Sequence, residues 1–562
     1  MIQLLSHARR ALHATALLAA LALSLHAAPG GESVAPERRE SKAGGAVYVP
    51  LESWVYTALD RLAALGLVPS QISGLRPWTR AECRRQTVEA QKALDTAGEP
   101  YGPAREIVTA LQRELSGDDG VVLESLYTRN GFIAGPALTD SFHFGQTWSN
   151  DVGRPFGRGW NSYQGFTVRA QTGRFFAYVQ GESQHAPAAE AYPFAVRETV
   201  SRIDGIPLQP GNPVAATDRF RLLDSYVGVR LGGIEVSAGK QSLWWGPSHD
   251  APLSFSNNAE PTKNLKASLA EPIRLPGVFS HLGEIRGEVV IGKLGGHAYT
   301  WRTWFSAQKI SFKLTENLEM GFTRWSILWG VGHPMTVGSF LRNLTSTSSP
   351  NAGGVGRADP GDRKGGFDFR YRVPGLRNWL TLYADSYCDD DPSPLAAPRR
   401  AAILPGLYLT HVPGVPKLDL RVESPSTTPM SGDYGGLFIY DNISYLSGNT
   451  NYGTLLGNAV GRDGRAYRAT SAYHFASRTN LEVGFSHATI GGAFLPGGGS
   501  RTDANARASI LMFRNWTADI FVQRERFNIP ALDSARRNVS GWAQITWTPN
   551  LPVVGGGRKT HQ

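Results

Sequence analysis

What most constrains this chain is a two-residue alternation whose second face is charged as well as polar, recurring from about residue 160 to Trp547. Phe166, Val168 and Ala170 alternate with Thr167, Arg169 and Gln171, after which Thr172-Gly173 makes a turn and residues 175–184 run back. Residues 226–231 and 234–239 flank Gly232-Gly233 as a second tight hairpin. Leu481, Val483 and Phe485 alternate with Glu482, Gly484 and Ser486. Trp516, Ala518, Ile520 and Val522 alternate with Thr517, Asp519, Phe521 and Gln523. Successive strand side chains point to opposite faces, so each segment has one apolar face and one too rich in Arg, Glu, Gln and Asp for a packed sandwich core. A transmembrane barrel resolves this, with its apolar face toward lipid and its polar face toward the lumen. Residues 138–548 supply 411 positions. At ~9–11 residues per membrane strand, with connections of about a dozen, that length makes roughly 16–20 strands. The expected fold is mainly β, a transmembrane antiparallel β-barrel.

The N-terminus fits an exported protein. His7, Arg9 and Arg10 precede an apolar stretch at 11–25, followed by the small pair Ala27-Ala28, so residues 1–28 are expected to be a signal peptide. Charged residues make up 19% of the chain, below the roughly 25% usual for soluble domains, and 63 glycines suit a protein of many turns. The net charge of +10 is dispersed among acids, which argues against a nucleic-acid partner. Cys83 and Cys388 are too few for a disulfide scaffold or a cysteine zinc module.

Before the alternation begins, the period is helical. Residues 29–46 read as a flexible leader. Ser53 caps a segment with Val55, Leu59, Leu62 and Leu65 on one face, ended by Gly66. Thr79-Arg80-Ala81-Glu82 is a capping box opening a helix to about Leu94, and a third helix runs from near Pro103 to Gly117. The organisation is therefore a helical module at 47–117, a barrel at 118–548 and a C-terminal tail at 549–562.

Specific strings then narrow the reading. Gly239-Lys240-Gln241-Ser242-Leu243-Trp244-Trp245-Gly246-Pro247 leads into Leu253-Ser254-Phe255-Ser256-Asn257-Asn258-Ala259. Later come Ile310-Ser311-Phe312-Lys313-Leu314-Thr315-Glu316-Asn317-Leu318-Glu319, Gly366-Phe367-Asp368-Phe369-Arg370-Tyr371-Arg372-Val373-Pro374, and Thr450-Asn451-Tyr452-Gly453 before Leu455-Leu456-Gly457. Val49-Pro50-Leu51 and Arg76-Pro77-Trp78-Thr79-Arg80 precede them. This order of motifs over nearly the whole mature chain resembles the Wzi family of capsule-assembly outer-membrane proteins. The resemblance implies an 18-stranded outer-membrane barrel whose N-terminal three-helix module plugs the periplasmic mouth. It implies a lectin-like protein of a Gram-negative outer membrane that attaches capsular polysaccharide or exopolysaccharide, with no catalytic residues, metal or cofactor. Its partners would be the polymer, outer-membrane lipid and polysaccharide export machinery, and the barrel would be a monomer. One departure is a Gly/Arg/Lys-rich tail after Trp547, so Trp542 and Trp547 would have to serve as the terminal aromatic signal.

Four residues are candidates for sugar contact. Trp244 and Trp245 offer aromatic faces to a pyranose, and also suit an interfacial belt. Asn257 and Asn258 offer amides to hydroxyls, and also suit a turn. Asp389-Asp390-Asp391 is expected to be a solvated loop, because consecutive acids diverge and calcium spacing is absent. His249, His333, His474 and His487 are scattered, and Ser486-His487 would lie on opposite strand faces. The competing function is a porin or substrate channel with an open lumen.

Overall fold

In the computed structural model, the described residues are 45–554 apart from 98–101, 118, 347–360, 377–378, 390–397, 432–436 and 533. The expected signal peptide, most of the leader and the end of the tail lie outside them. Among the described residues, eighteen strands pair antiparallel into a closed barrel. In chain order they are β1 Gly120–Ile133, β2 Gly159–Thr172, β3 Phe175–Ala186, β4 Thr217–Leu231, β5 Ile234–Gln241 and β6 Thr262–Leu269. Then follow β7 Glu284–Lys293, β8 Trp304–Lys313, β9 Leu318–Leu328, β10 Asp362–Arg372, β11 Leu380–Asp389 and β12 Ala402–Leu409. The last six are β13 Leu418–Glu423, β14 Gly464–Ala476, β15 Thr479–Ile490, β16 Gly499–Phe513, β17 Trp516–Ile529 and β18 Ser534–Trp547. β1 pairs with both β2 and β18, which closes the ring and leaves no edge to hydrogen-bond in the bilayer. Ile273–Arg274 prolongs β6 along β7, and Leu551–Val554 prolongs β18 along β1, so pairing runs into the segment expected as tail.

The alternation sorts as its chemistry requires. Thr167, Arg169 and Gln171 are buried toward the lumen, whereas Leu481, Val483, Phe485, Ile520 and Val522 stand exposed on the outer wall. Trp516 and Trp547 stack on one another (centroids 5.9 Å apart), and Trp516 is among the exposed outer-wall residues. One end of the barrel has short turns, such as 172–175, 231–234, 476–479 and 513–516. The other carries long connections, among them 133–159, 186–217, 241–262 and 423–464. In outer-membrane barrels the short turns are periplasmic and the long loops extracellular.

The helical module sits at the short-turn end. It comprises α1 Trp54–Ala64, α2 Arg80–Ala97 and α3 Gly102–Glu114. The Ser53 side chain accepts from Val55 N–H, and Gly66 takes a φ of 86°, the left-handed geometry that ends a helix. Thr79 Oγ1 accepts from Glu82 N–H (3.1 Å), but the Glu82 carboxylate goes to Arg85 and Gln86, so only half of the expected box forms. Leu59, Leu62, Trp78, Ile107, Val108 and Leu111 make a core shared by the three helices. Arg478 pairs with Glu114 (3.5 Å), and Arg169 Nη2 donates to Gly117 O (2.7 Å), tying the module to the rim of the barrel.

Candidate functional site

Two long connections fold back into the barrel instead of standing above it. Residues 242–261 join β5 to β6 and begin where Ser242 N–H donates to Asp224 (2.7 Å). From the opposite end, the connection between α1 and α2 climbs into the lumen. Ser73 and Gly74 N–H donate to Glu319 of β9 (2.9 and 2.7 Å). The two meet as a two-residue antiparallel pair, Leu75 opposite Trp245 and Arg76 opposite Trp244, continued by Gly246 N–H to Gly74 O (2.9 Å). Gly246 has a φ of 151°, and a Cβ there would fall against Pro252 and Asp385, so this close approach requires glycine. The connection 423–464 is the second filler. Asn458 Nδ2 donates to Ala251 O (2.6 Å), Asn258 Nδ2 to Leu455 O (3.1 Å) and Tyr440 OH to Leu253 O (2.6 Å). Trp245, Phe255, Phe305, Trp325, Tyr387, Tyr440 and Leu455 pack together as an apolar core inside the barrel.

All four sequence candidates lie in this filling. Trp245 is 0% exposed and donates Nε1–H to Glu288 (3.0 Å), and Trp244 is buried beside Arg76. Asn258 Oδ1 accepts from Asn150 N–H (3.0 Å), and Asn257 O accepts from Val152 N–H (2.7 Å), so both amide residues hold loop to loop. The four residues thus sit inside the barrel and not on an exposed loop surface. Leu243, Leu253, Phe255 and Ala259 run through the same segment, and an apolar load of that density is buried wherever it can be. Asp389 is likewise no solvated loop residue. It is buried and accepts from Lys364 Nζ (2.6 Å), while Asp390 and Asp391 lie outside the described residues. Cys83 and Cys388 are both buried and are not joined in a disulfide.

Between the filling and the wall from β13 through β18 to β1 remains a cavity of about 620 Å³, bordered by Arg129, Asp151, Arg421, Glu482, Arg501 and Asp519. Trp244 and Asn257 form part of its lining, and Glu114 and Arg478 mark its short-turn end. Its charges are largely paired with one another, as buried charges must be. Arg129 meets Asp151 at 2.7 Å, and Arg154 meets Asp151 at 2.6 Å and Glu182 at 2.9 Å. Phe521 also faces this space and stacks on Trp542 (5.5 Å).

A family model described as capsule assembly protein Wzi matches residues 128–539. The chain belongs to the Wzi capsule-assembly family. A Klebsiella pneumoniae relative, described as an uncharacterized 55.8 kDa protein in the cps region, is 22% identical over 222 residues, which span 39% of this chain and 43% of that protein's length. The chain thus aligns with less than half of that relative. The solved Wzi structure of Escherichia coli, described as a carbohydrate-binding β-barrel of the outer membrane involved in group 1 capsule assembly, superposes with a TM-score of 0.66 at 15% identity. The superposition covers 90% of this chain and 99% of that one. OprD of Pseudomonas aeruginosa gives 0.41 at 11% identity, over 78% of this chain and 96% of its own. The closed barrel of this Wzi-family chain is an outer-membrane fold.

Above the filling, the Wzi-family barrel is latched by a buried charge cluster. His143, in the β1–β2 connection, donates Nδ1–H to Asp140 (2.7 Å) and Nε2–H to Asp204 (2.8 Å). Asp204 ends α4 (Phe194–Asp204) in the β3–β4 connection and also takes Arg462 Nη1 (2.7 Å). Arg462 reaches Asp441 (2.8 Å), and its guanidinium lies over Phe142 and Phe494. Burial opposes the charge on His143, but Asp140 and Asp204 outweigh it and push its pKa from 6.5 up to about 10. Burial also works against the Asp204 carboxylate, yet His143 and Arg462 hold its pKa below 3.8. A raised histidine pKa stabilises fully below 6.5 and loses that contribution as pH climbs through about 10. The depressed Asp204 stabilises above 3.8 and fails only as pH falls through its lower folded value. A spin label at Leu208→Cys is therefore expected to gain mobility between about pH 8 and about pH 11. Adding His143→Gln should leave it mobile and insensitive to alkali. An alkaline response that survives in His143→Gln would show that the latch does not control this loop.

Proposed function

We propose that this outer-membrane barrel holds capsular polysaccharide or exopolysaccharide at the cell surface through its extracellular loops, as a lectin-like attachment protein without a catalytic step. One observation carries the reading. The loops that an open channel would keep clear of its axis fill this lumen with an apolar core, which leaves the loop surface as the face available to a polymer. The capsule-assembly family and the description of the Escherichia coli Wzi structure as a carbohydrate-binding barrel support it. Single sugar contacts at an exposed surface are weak, and a repeating polymer engages many barrels at once, so retention follows from avidity. The absence of catalysis is part of the proposal. Ser486 lines the cavity, whereas His487 bonds Thr502, one strand position on and on the other face. Export machinery would meet the periplasmic module, and the barrel would act as a monomer.

Deleting the gene should release polymer into the medium while total synthesis stays near normal, measured as uronic acid or total hexose in the cell and supernatant fractions. The charged cavity favours the second reading, a solute channel. A deletion strain that keeps its surface polymer and instead loses uptake of a small solute would establish that reading and remove the first.

A further inference from the structure

We propose that Trp301 and Tyr452 form the aromatic platform on which the polymer's pyranose rings stack, a proposal that rests on the polysaccharide-retention reading. Both side chains are more than half exposed, Trp301 at 63% and Tyr452 at 54%, although aromatic side chains of this size usually find cover. Neither belongs to a barrel strand. Trp301 lies in the β7–β8 connection and Tyr452 in the β13–β14 connection, at the long-loop end.

The two connections are fastened to each other. Tyr452 N–H donates to Gly295 O (2.8 Å), Gly295 N–H to Asn451 Oδ1 (2.7 Å) and Thr300 Oγ1 to Ser444 O (2.8 Å), while His297 Nε2 meets Thr450 O (2.9 Å). The Tyr452 ring rests on Gly295, where a Cβ would collide with it. A third connection joins them through Gln209 Nε2, which donates to Tyr299 OH (2.6 Å), and Val331 N–H holds Trp301 O (2.7 Å).

The backbone is strained where the aromatics are presented. Thr300, Arg302 and Tyr452 have φ of 71°, 62° and 52°, a region that non-glycine residues avoid and β-branched threonine most of all. Such conformations persist only where surrounding bonds over-determine them, and they concentrate at ligand-binding positions. Here they flank Trp301 on both sides and carry Tyr452. The outcome is two open aromatic surfaces on tied-down backbone, with Arg302 and Tyr299 adjoining Trp301 in the chain. An aromatic face covers the C–H face of a pyranose, while neighbouring polar groups reach its hydroxyls. A lipid-interface girdle is the competing use of such residues. Against it, the neighbours of Tyr452, namely Asn451, Leu455 and Leu456, are buried in the lumen filling and not on the outer wall.

The test uses the purified full-length barrel in detergent and, as probe, the producing strain's own surface polysaccharide, immobilised for binding measurements. Trp301→Ala with Tyr452→Ala should weaken binding about tenfold or more, equivalent to about 1.4 kcal/mol. Trp301→Phe with Tyr452→Phe should stay within about threefold of the native protein, because a ring face remains. Heat-modifiable migration on gels should be unchanged in both. Native binding by the double alanine variant overturns the platform and leaves the retention reading standing. No polymer binding by the native protein overturns the retention reading itself. Normal binding with impaired membrane insertion would assign the pair to the lipid girdle and likewise overturn the platform.

Discussion

Trp245→Ala is expected to make the purified barrel leak ions in planar bilayers while its heat-modifiable migration persists. The indole is fully buried, meets Phe255 edge-on (5.1 Å, 74°) and, through Phe255, joins Trp325 (5.0 Å). Truncating a buried aromatic to alanine costs ~3–5 kcal/mol. The Glu288 carboxylate loses its indole donor as well, at a further ~1–3 kcal/mol if nothing replaces it. That loss falls on the filling and not on the wall, because the strands are closed by a backbone ladder that makes no use of Trp245. The loops should therefore loosen inside an intact barrel. Trp244→Ala, at the margin of the cavity, should leak less. A Trp245→Ala barrel that is as tight as the native one would show that the apolar core is not what blocks the lumen. If surface polymer is lost only in step with barrel abundance, the two tryptophans act structurally.

The second large effect concerns the helical module, for which we propose the role of a periplasmic plug. The full-length protein should conduct little. Deleting residues 47–117 alone should raise conductance only partly, because 242–261 and 423–464 still occupy the axis. Deleting the module and also replacing 242–261 with a short linker should give a wide pore. The module and the two residues just before it are held by specific bonds to the wall. Glu319 accepts from Ser73 and Gly74, Gln171 Oε1 accepts from Gly45 and Ala46 N–H (2.9 and 3.1 Å), and Arg372 Nη1 donates to Ala63 O (3.4 Å). Glu319→Ala should therefore release the lumenal turn while leaving α1 to α3 folded around their own core. Retained heat-modifiable migration confirms that each deletion still forms a barrel. A large conductance in the full-length protein would remove the plug and restore the open-channel reading.

The amino-acid sequence by itself determined the local features. Ser53 and Gly66 bound α1, and Thr167, Arg169 and Gln171 take the lumen side because alternation and capping involve neighbours a few residues apart. Chain length limited the strand number to a range and the motif resemblance implied eighteen, while the closure itself joins β1 to β18, more than four hundred residues away. The candidate site was legible as a cluster but not as a location. Trp244, Trp245, Asn257 and Asn258 do come together, yet an aromatic and amide segment reads the same at a lipid interface, on a sugar-binding loop or in a filled lumen. What decided among them were contacts such as Ser256 with Leu456 and Trp245 with Glu288. Trp301 and Tyr452 carried no periodic signal at all, and stand out only because the fold leaves them exposed, Tyr452 directly after the buried Asn451. Local geometry is set by residues close in the chain, whereas burial is a property of the closed barrel. Only the tertiary structure could assign which aromatics it covers.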